Sequence, residues 1–266
     1  VELIAAAVFD DGPAVLPLSP ALPAPALRAA LAELRPTHLV DGEGRRRLSD
    51  GVGSDAALII ATSGSTGAPK GVELPAAAVR ASAAASLARL GARPGDRWLC
   101  CLPLTHIAGV QVVVRALLGG SEPILHERFD PAAVLACPAE YVSLVPTQLR
   151  RLLEHGADLR GRPAILLGGA AAPAGLLERA RAAGARIVTS YGMSETCGGC
   201  VYDGTPLDGV AVRIGADSRI RISGPVLMSG YRLRPELTRQ ALEDGWFVTA
   251  DLGELADGRL RVLGRA

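Results

Sequence analysis

Thr62-Ser63-Gly64-Ser65-Thr66-Gly67-Ala68-Pro69-Lys70-Gly71 decides how the rest of this chain reads. An apolar run at 56–61 precedes it and predicts a buried strand that feeds directly into the Gly/Ser/Thr loop. Within ten residues the loop offers three Gly, four hydroxyls and one ammonium. Gly lets backbone N–H groups approach phosphate oxygens closely, hydroxyls add donors, and Lys adds a point charge. The order differs from a Walker A loop, which needs Gly directly before Lys and Ser or Thr directly after it. Here Pro69 precedes Lys70 and Gly71 follows.

The composition singles out the same position. Of the 28 basic residues, 27 are Arg and one, Lys70, is Lys. Arg stands nearly everywhere a cation is wanted, so Lys70 marks a place that needs a compact ammonium rather than a planar fork. A formal net charge of +1 gives no basic field for nucleic acid or an anionic membrane. No run of about 18 apolar residues lacks a charge, Pro or Gly, so no membrane span is expected. The opening VELIAAAVFDDGP has no basic segment before its short apolar run and makes a poor signal peptide. Five cysteines show no disulfide framework, and a cytoplasmic location is the default.

Outward from the loop, short apolar runs alternate with longer helical patterns, which predicts an α/β fold. Strands are expected at 98–102, 122–126, 141–145, 164–167 and 186–190. Helices are expected at 74–90, 107–118, 131–136, 146–155 and 173–183. Beyond residue 202 come short strands at 210–214, 219–223, 247–250 and 259–263, with a helix at 235–242. The chain therefore divides into 1–201, with two α/β subdomains, and a β-rich subdomain at 202–266. Arg45-Arg46-Arg47 reads as a solvated loop.

Further motifs follow the loop in order. Pro103-Leu-Thr-His106-Ile-Ala-Gly109 opens the helix at 107, where His106 could cap the helix or face a pocket. Gly168-Gly169-Ala170-Ala171 follows a strand. Ser190-Tyr191-Gly192-Met193-Ser194-Glu195-Thr196 carries a carboxylate in a second Gly/Ser/Thr segment. Gly224-Pro-Val-Leu-Met-Ser-Gly-Tyr231 reads as turn and packing. Gly245-Trp-Phe-Val-Thr-Ala-Asp251-Leu-Gly253 and Gly258-Arg-Leu-Arg-Val-Leu-Gly264-Arg265 close the series.

This ordered set, from 62 to 265, resembles the adenylate-forming superfamily of acyl-CoA ligases, luciferases and adenylation domains. The resemblance implies an N-terminal domain of two sheet subdomains in layered packing plus a small β-rich subdomain, with the family's C-terminal domain absent from these 266 residues. It implies ATP, Mg²⁺ and coenzyme A as ligands, and weak activity without that further domain.

By the same resemblance, Thr62, Ser63, Gly64, Ser65, Thr66, Gly67 and Lys70 hold phosphate, and Gly168, Gly169 and Ala170 pack against adenine. Ser190, Tyr191 and Gly192 continue that site, with Tyr191 along the adenine. Thr196 contacts the phosphate region, and Asp251 and Arg265 approach the ribose. Glu195 binds Mg²⁺, which takes a carboxylate plus phosphate oxygens. His106, with Gly192 and Met193, borders the acyl pocket. Lys70, His106 and Glu195 are the expected catalytic groups. Ala250 stands where the family commonly has Gly.

Two features bear on the acid. Arg115 interrupts an apolar helix at a spacing from His106 that resembles o-succinylbenzoate–CoA ligases of menaquinone biosynthesis. It either meets a second carboxylate on the substrate or lies on the helix's solvent face. The stretch from Thr196 to Val210 is similar to actinobacterial ligases of this kind. Other aryl- or acyl-CoA ligases, a carrier-protein adenylation domain and a non-catalytic adenylate-binding remnant are the rival readings. Cys197-x-x-Cys200 has no second pair to complete a zinc site, so packed thiols are expected. The expected partners are small molecules: o-succinylbenzoate, ATP and CoA. The sequence leaves a homodimer open.

Overall fold

A computed structural model describes residues 1–48, 50–63 and 69–266, with Ser63 through its backbone only. Its centre is a seven-stranded sheet. Five parallel strands lie in the order Ile124–Leu125, Trp98–Cys100, Tyr141–Leu144, Ala164–Leu167 and Ile187–Met193, followed by antiparallel Gly198–Tyr202 and Thr205–Pro206. The expected strand positions recur here, shortened at most ends.

Side chains alternate across this sheet with period two. Trp98, Cys100, Tyr141 and Ala164 face one side, where they pack with Val112 and Ala116 of the helix Ile107–Leu118. Leu99, Val142, Leu144, Ile165 and Leu167 face the other side, over helices Pro146–Glu154 and Ala174–Ala182. Both faces are covered, so the strands read as near-continuous apolar runs. From Trp98–Cys100 the chain moves to Ile124–Leu125 on one side, then crosses to Tyr141–Leu144 on the other. In open α/β sheets such a switch leaves a crevice outside the carboxyl ends of the strands.

The segment around Lys70 folds as a hairpin. Leu58–Ser63 pairs antiparallel with Pro69–Leu74, matching Thr62 with Lys70. The expected helix at 74–90 therefore begins later, at Ala76–Leu90. PKGVEL carries a Pro, a Lys and a Gly and hides its strand character; pairing on both edges overrides that weak local preference. Pro69 takes the first strand position, where its missing N–H costs least. The third strand, Gly230–Tyr231, comes from far along the chain and pairs with Val72 and Glu73.

A second antiparallel sheet holds Ala211–Ile214, Arg219–Ser223, Trp246–Ala256, Leu242–Glu243 and Arg259–Arg265. Trp246–Ala256 is much longer than the strand expected at 247–250, because it pairs along its length with Arg259–Arg265. Arg45-Arg46-Arg47 forms an exposed strand, Gly44–Arg47, paired with His38–Asp41, rather than a loop. Backbone pairing within the hairpin holds it while the three guanidiniums stay in water. The opening segment is the helix Glu2–Phe9, which buries Ile4, Ala7 and Val8 in the main core. No helix among the described residues is long and apolar enough to cross a membrane.

Candidate active site

The crevice predicted by the strand switch is a cleft of about 780 Å³. Its walls come from strand ends (Val145, Gly168, Ser190), the turn at Glu195, the helix at 107, the Lys70 hairpin and the second sheet at Asp251 and Arg265. Most of the described residues singled out by sequence converge here from separate elements: Thr62, Lys70, His106, Arg115, Gly168, Gly169, Ser190, Gly192, Met193, Glu195, Asp251 and Arg265. Gly64, Ser65, Thr66 and Gly67, and the side chain of Ser63, lie outside the described residues.

The turn that carries Glu195 is held by its neighbours. The strand Ile187–Met193 runs into one 3₁₀ turn, Ser194–Thr196, and the chain doubles back as Gly198–Tyr202. Gly192 is required by close approach: a Cβ there would stand 2.1 Å from the Gly198 carbonyl oxygen. The Thr196 hydroxyl accepts from Met193 N–H at 3.0 Å and donates to the Gly198 carbonyl at 2.7 Å. Thr196 is fully buried, so the structure puts it inside the wall as a brace. Its hydroxyl is engaged by backbone on both sides, and Thr196 is not among the residues that line the cleft.

Glu195 is buried, and its Oε1 accepts from Lys70 Nζ at 3.2 Å and from the Tyr231 hydroxyl at 2.7 Å. Lys70 Nζ also donates to the Tyr231 oxygen at 3.1 Å and sits 4.2 Å from the ring centroid. Burial, then the adjacent Glu195 carboxylate, raises the Tyr231 phenol far above its ordinary value, so it stays a donor. Tyr231 was absent from the sequence reading as a site residue.

Asp251 accepts from the Tyr191 hydroxyl at 2.9 Å and pairs with Arg265 Nε at 3.2 Å. Burial and then Asp251 push the Tyr191 phenol up. Tyr191 packs against the apolar cluster that holds Cys200, Val201 and Ile220 and is not among the cleft-lining residues, so its link to the cleft is this hydroxyl on Asp251. Ala170 is exposed and also outside the lining, because the backbone turns to solvent after Gly169.

His106 is the N-cap of the helix Ile107–Leu118, but its side chain makes no capping bond and is exposed on the cleft. The capping role is thereby excluded. Gly109 lets this helix start close against the preceding loop: a Cβ would stand 2.4 Å from the Pro103 carbonyl oxygen.

Arg115, one turn beyond Gln111 on the same helix, is 5% exposed and borders the cleft, not solvent. Its Nη2 donates to Ser143 Oγ at 3.1 Å, and its guanidinium lies 4.7 Å from the Trp98 ring centroid. Nε has no partner, and no carboxylate among the described residues pairs with it. Burial lowers its pKa. Gln111 and Ser143 also line the cleft and were missed by sequence. The i, i+4 spacing from Gln111 to Arg115 could have revealed the first; nothing local marks the second.

Cys197 and Cys200 are fully buried free thiols, and burial raises both, Cys200 to about 12. They lie behind the cleft wall, and no cluster of three or more His, Cys, Asp or Glu that could hold a metal occurs among the described residues.

Comparison with known proteins agrees with this geometry. Residues 45–232 match the family described as AMP-binding enzyme. A probable 2-succinylbenzoate–CoA ligase of Mycobacterium tuberculosis is 46% identical over 238 residues, covering 84% of this chain and 61% of that protein. The 2-succinylbenzoate–CoA ligase of Escherichia coli is 32% identical over 97% of this chain and 62% of its own length. Among solved structures, the Bacillus subtilis O-succinylbenzoate coenzyme A synthetase in complex with AMP superposes with a TM-score of 0.74 at 35% identity, covering 79% of this chain and 49% of that one. An E. coli MenE structure with bound OSB-AMS gives 0.81 at 29%, covering 94% and 61%. The chain thus spans about half to three-fifths of the length of these relatives. With its family motifs drawn from separate elements into one cleft and residues 45–232 matching the family, the chain belongs to the AMP-binding, adenylate-forming enzyme family.

Proposed function

We propose that this chain is the nucleotide- and acyl-binding part of an o-succinylbenzoate–CoA ligase of menaquinone biosynthesis. The observation that carries the substrate is Arg115. It is a buried cation facing the cleft, supplied with a hydroxyl and an indole face but, among the described residues, no anion. A buried charge is costly unless paired, and the benzoate carboxylate of a dicarboxylic substrate would pair it. The relatives' printed substrate supports the same choice.

The reaction has two steps. One oxygen of the succinyl carboxylate attacks the α-phosphorus of ATP; the new O–P bond forms as the bond to pyrophosphate breaks. The sulfur of CoA, as thiolate, then attacks the acyl carbon, and AMP leaves with the electron pair. Lys70 supplies positive charge to the phosphates, Asp251 and Arg265 stand at the ribose, and His106 borders the acyl carbon. Glu195 fits Mg²⁺ as the single protein carboxylate: Oε1 is engaged, and no hydrogen bond to Oε2 occurs among the described residues. Bound there with phosphate oxygens, the ion would offset charge as pyrophosphate departs. Five unpaired thiols accord with a cytoplasmic protein.

Calorimetry tests the substrate. Acyl-AMP analogues of o-succinylbenzoate should bind more tightly than the same analogue lacking the ring carboxylate, by about 2–5 kcal/mol. Equal affinity for the two would remove Arg115 from substrate recognition and with it this choice of acid.

A further inference from the structure

Tyr231 closes a motif whose sequence reads as turn and packing, yet its hydroxyl lies inside the cleft's charged cluster. The strand Gly230–Tyr231 pairs with Val72, two residues from Lys70, and this register sets the phenol against both Lys70 and Glu195. A Phe would supply the ring face, 4.2 Å from Lys70 Nζ, but not the hydroxyl. The phenol has one proton and two lone pairs. The proton goes to Glu195 Oε1 at 2.7 Å, and a lone pair receives Lys70 Nζ at 3.1 Å. Lys70 donates to that same Oε1 at 3.2 Å, so one carboxylate oxygen is gripped twice.

We infer that Tyr231 is a positioning residue for Glu195: its hydroxyl keeps Oε1 fixed when Lys70 leaves for the triphosphate, so that Oε2 stays available to the nucleotide's divalent cation. The inference rests on the ATP-dependent reading above. Lys70 Nζ carries three N–H donors, two of them turned to Glu195 and Tyr231; a triphosphate competes for the ammonium's charge, and nucleotide binding draws it away from Glu195. Without the phenol, that exchange strips Glu195 of both donors seen here, and a buried carboxylate left without donors either moves or holds the ammonium back. With the phenol, one short donor remains throughout.

Calorimetry on Tyr231→Phe, with Mn²⁺·ATP as the probe, reads this directly. Mn²⁺·ATP should bind about tenfold more weakly, the order expected for one lost hydrogen bond to a charged group. Metal-free AMP affinity should stay at the wild-type value, while the melting temperature of the unliganded chain falls by a few degrees, because the bond to Glu195 is lost there too. Glu195→Gln, run alongside, should lose at least as much Mn²⁺·ATP affinity. Wild-type Mn²⁺·ATP binding in Tyr231→Phe, with a loss in Glu195→Gln, would reduce Tyr231 to packing and overturn the inference. An equal loss for AMP would mean general damage to the cleft and would also overturn it. If Glu195→Gln binds Mn²⁺·ATP like wild type, the metal assignment under the proposed function fails first and takes this inference with it.

Discussion

The two ends of the cleft are built on opposite electrostatic terms. At the nucleotide end each charged group already has a partner: Lys70 with Glu195, and Asp251 with Arg265. At the acyl end Arg115 has Ser143 and Trp98 but, among the described residues, no anion. A ligand at the first end exchanges partners, so its gain is the difference between two sets of contacts. A ligand at the second end supplies a missing counter-charge in a buried place, where an uncompensated charge is costly. Under the proposed function, the nucleotide end is then general to many acids, while the end at Arg115 discriminates.

The largest expected effect breaks the acyl end. Arg115→Ala should weaken a dicarboxylate acyl-AMP analogue by about 2–5 kcal/mol and leave AMP affinity nearly unchanged. Arg115→Met, which keeps volume and removes the unpaired charge, should lose the same affinity while leaving the unliganded chain as stable or about 1 kcal/mol more stable by denaturant unfolding. A stability loss with intact binding would mean that Arg115 serves the core and not the ligand.

At the nucleotide end the effects should be smaller. Asp251→Ala removes the acceptor for Tyr191 and Arg265 and should weaken AMP by roughly 1.5–3 kcal/mol, the range for hydrogen bonds to a charged group. Unchanged calorimetric affinity would end its ribose assignment. Arg265→Ala should cost less than about 1 kcal/mol in AMP binding, because its side chain is 79% exposed and its pairing is screened.

The smallest effect lies outside the cleft and serves as a reference for an ordinary surface pair. Hydrogen bonds from the Arg97 side chain hold Glu140 at about 2. A carboxylate depressed in the folded state stabilises above its unfolded value, near 4.3, and loses that contribution as pH falls toward 2. Glu140→Gln should cost under about 1 kcal/mol at pH 7, allowing for solvent screening of a side chain 35% exposed. The difference from wild type should vanish by about pH 2, measured by urea unfolding at both pH values. A difference that persists at low pH would assign it to packing instead.

The helices at 107–118 and 131–136 and the strands at 164–167 and 219–223 stand where the sequence places them, because apolar periodicity and flanking Gly or Pro are local signals. The strand Pro69–Leu74 was hidden because its residues prefer no strand until partners occupy both edges. Thr196 resembles a ligand contact by motif, yet its hydroxyl closes on Met193 and Gly198, and only the turn's geometry shows that.

By itself, the order of motifs and the solitary Lys among 28 basic residues determined the family, much of the cleft's lining and the α/β class. Tertiary structure alone decided that Arg115 is buried with no anion beside it among the described residues, that His106 does not cap, and that Tyr231 joins Lys70 and Glu195. The reason is distance along the chain. Lys70 meets Glu195 across 125 positions and Tyr231 across 161, and no local pattern encodes which far residue a sheet will bring within hydrogen-bond reach.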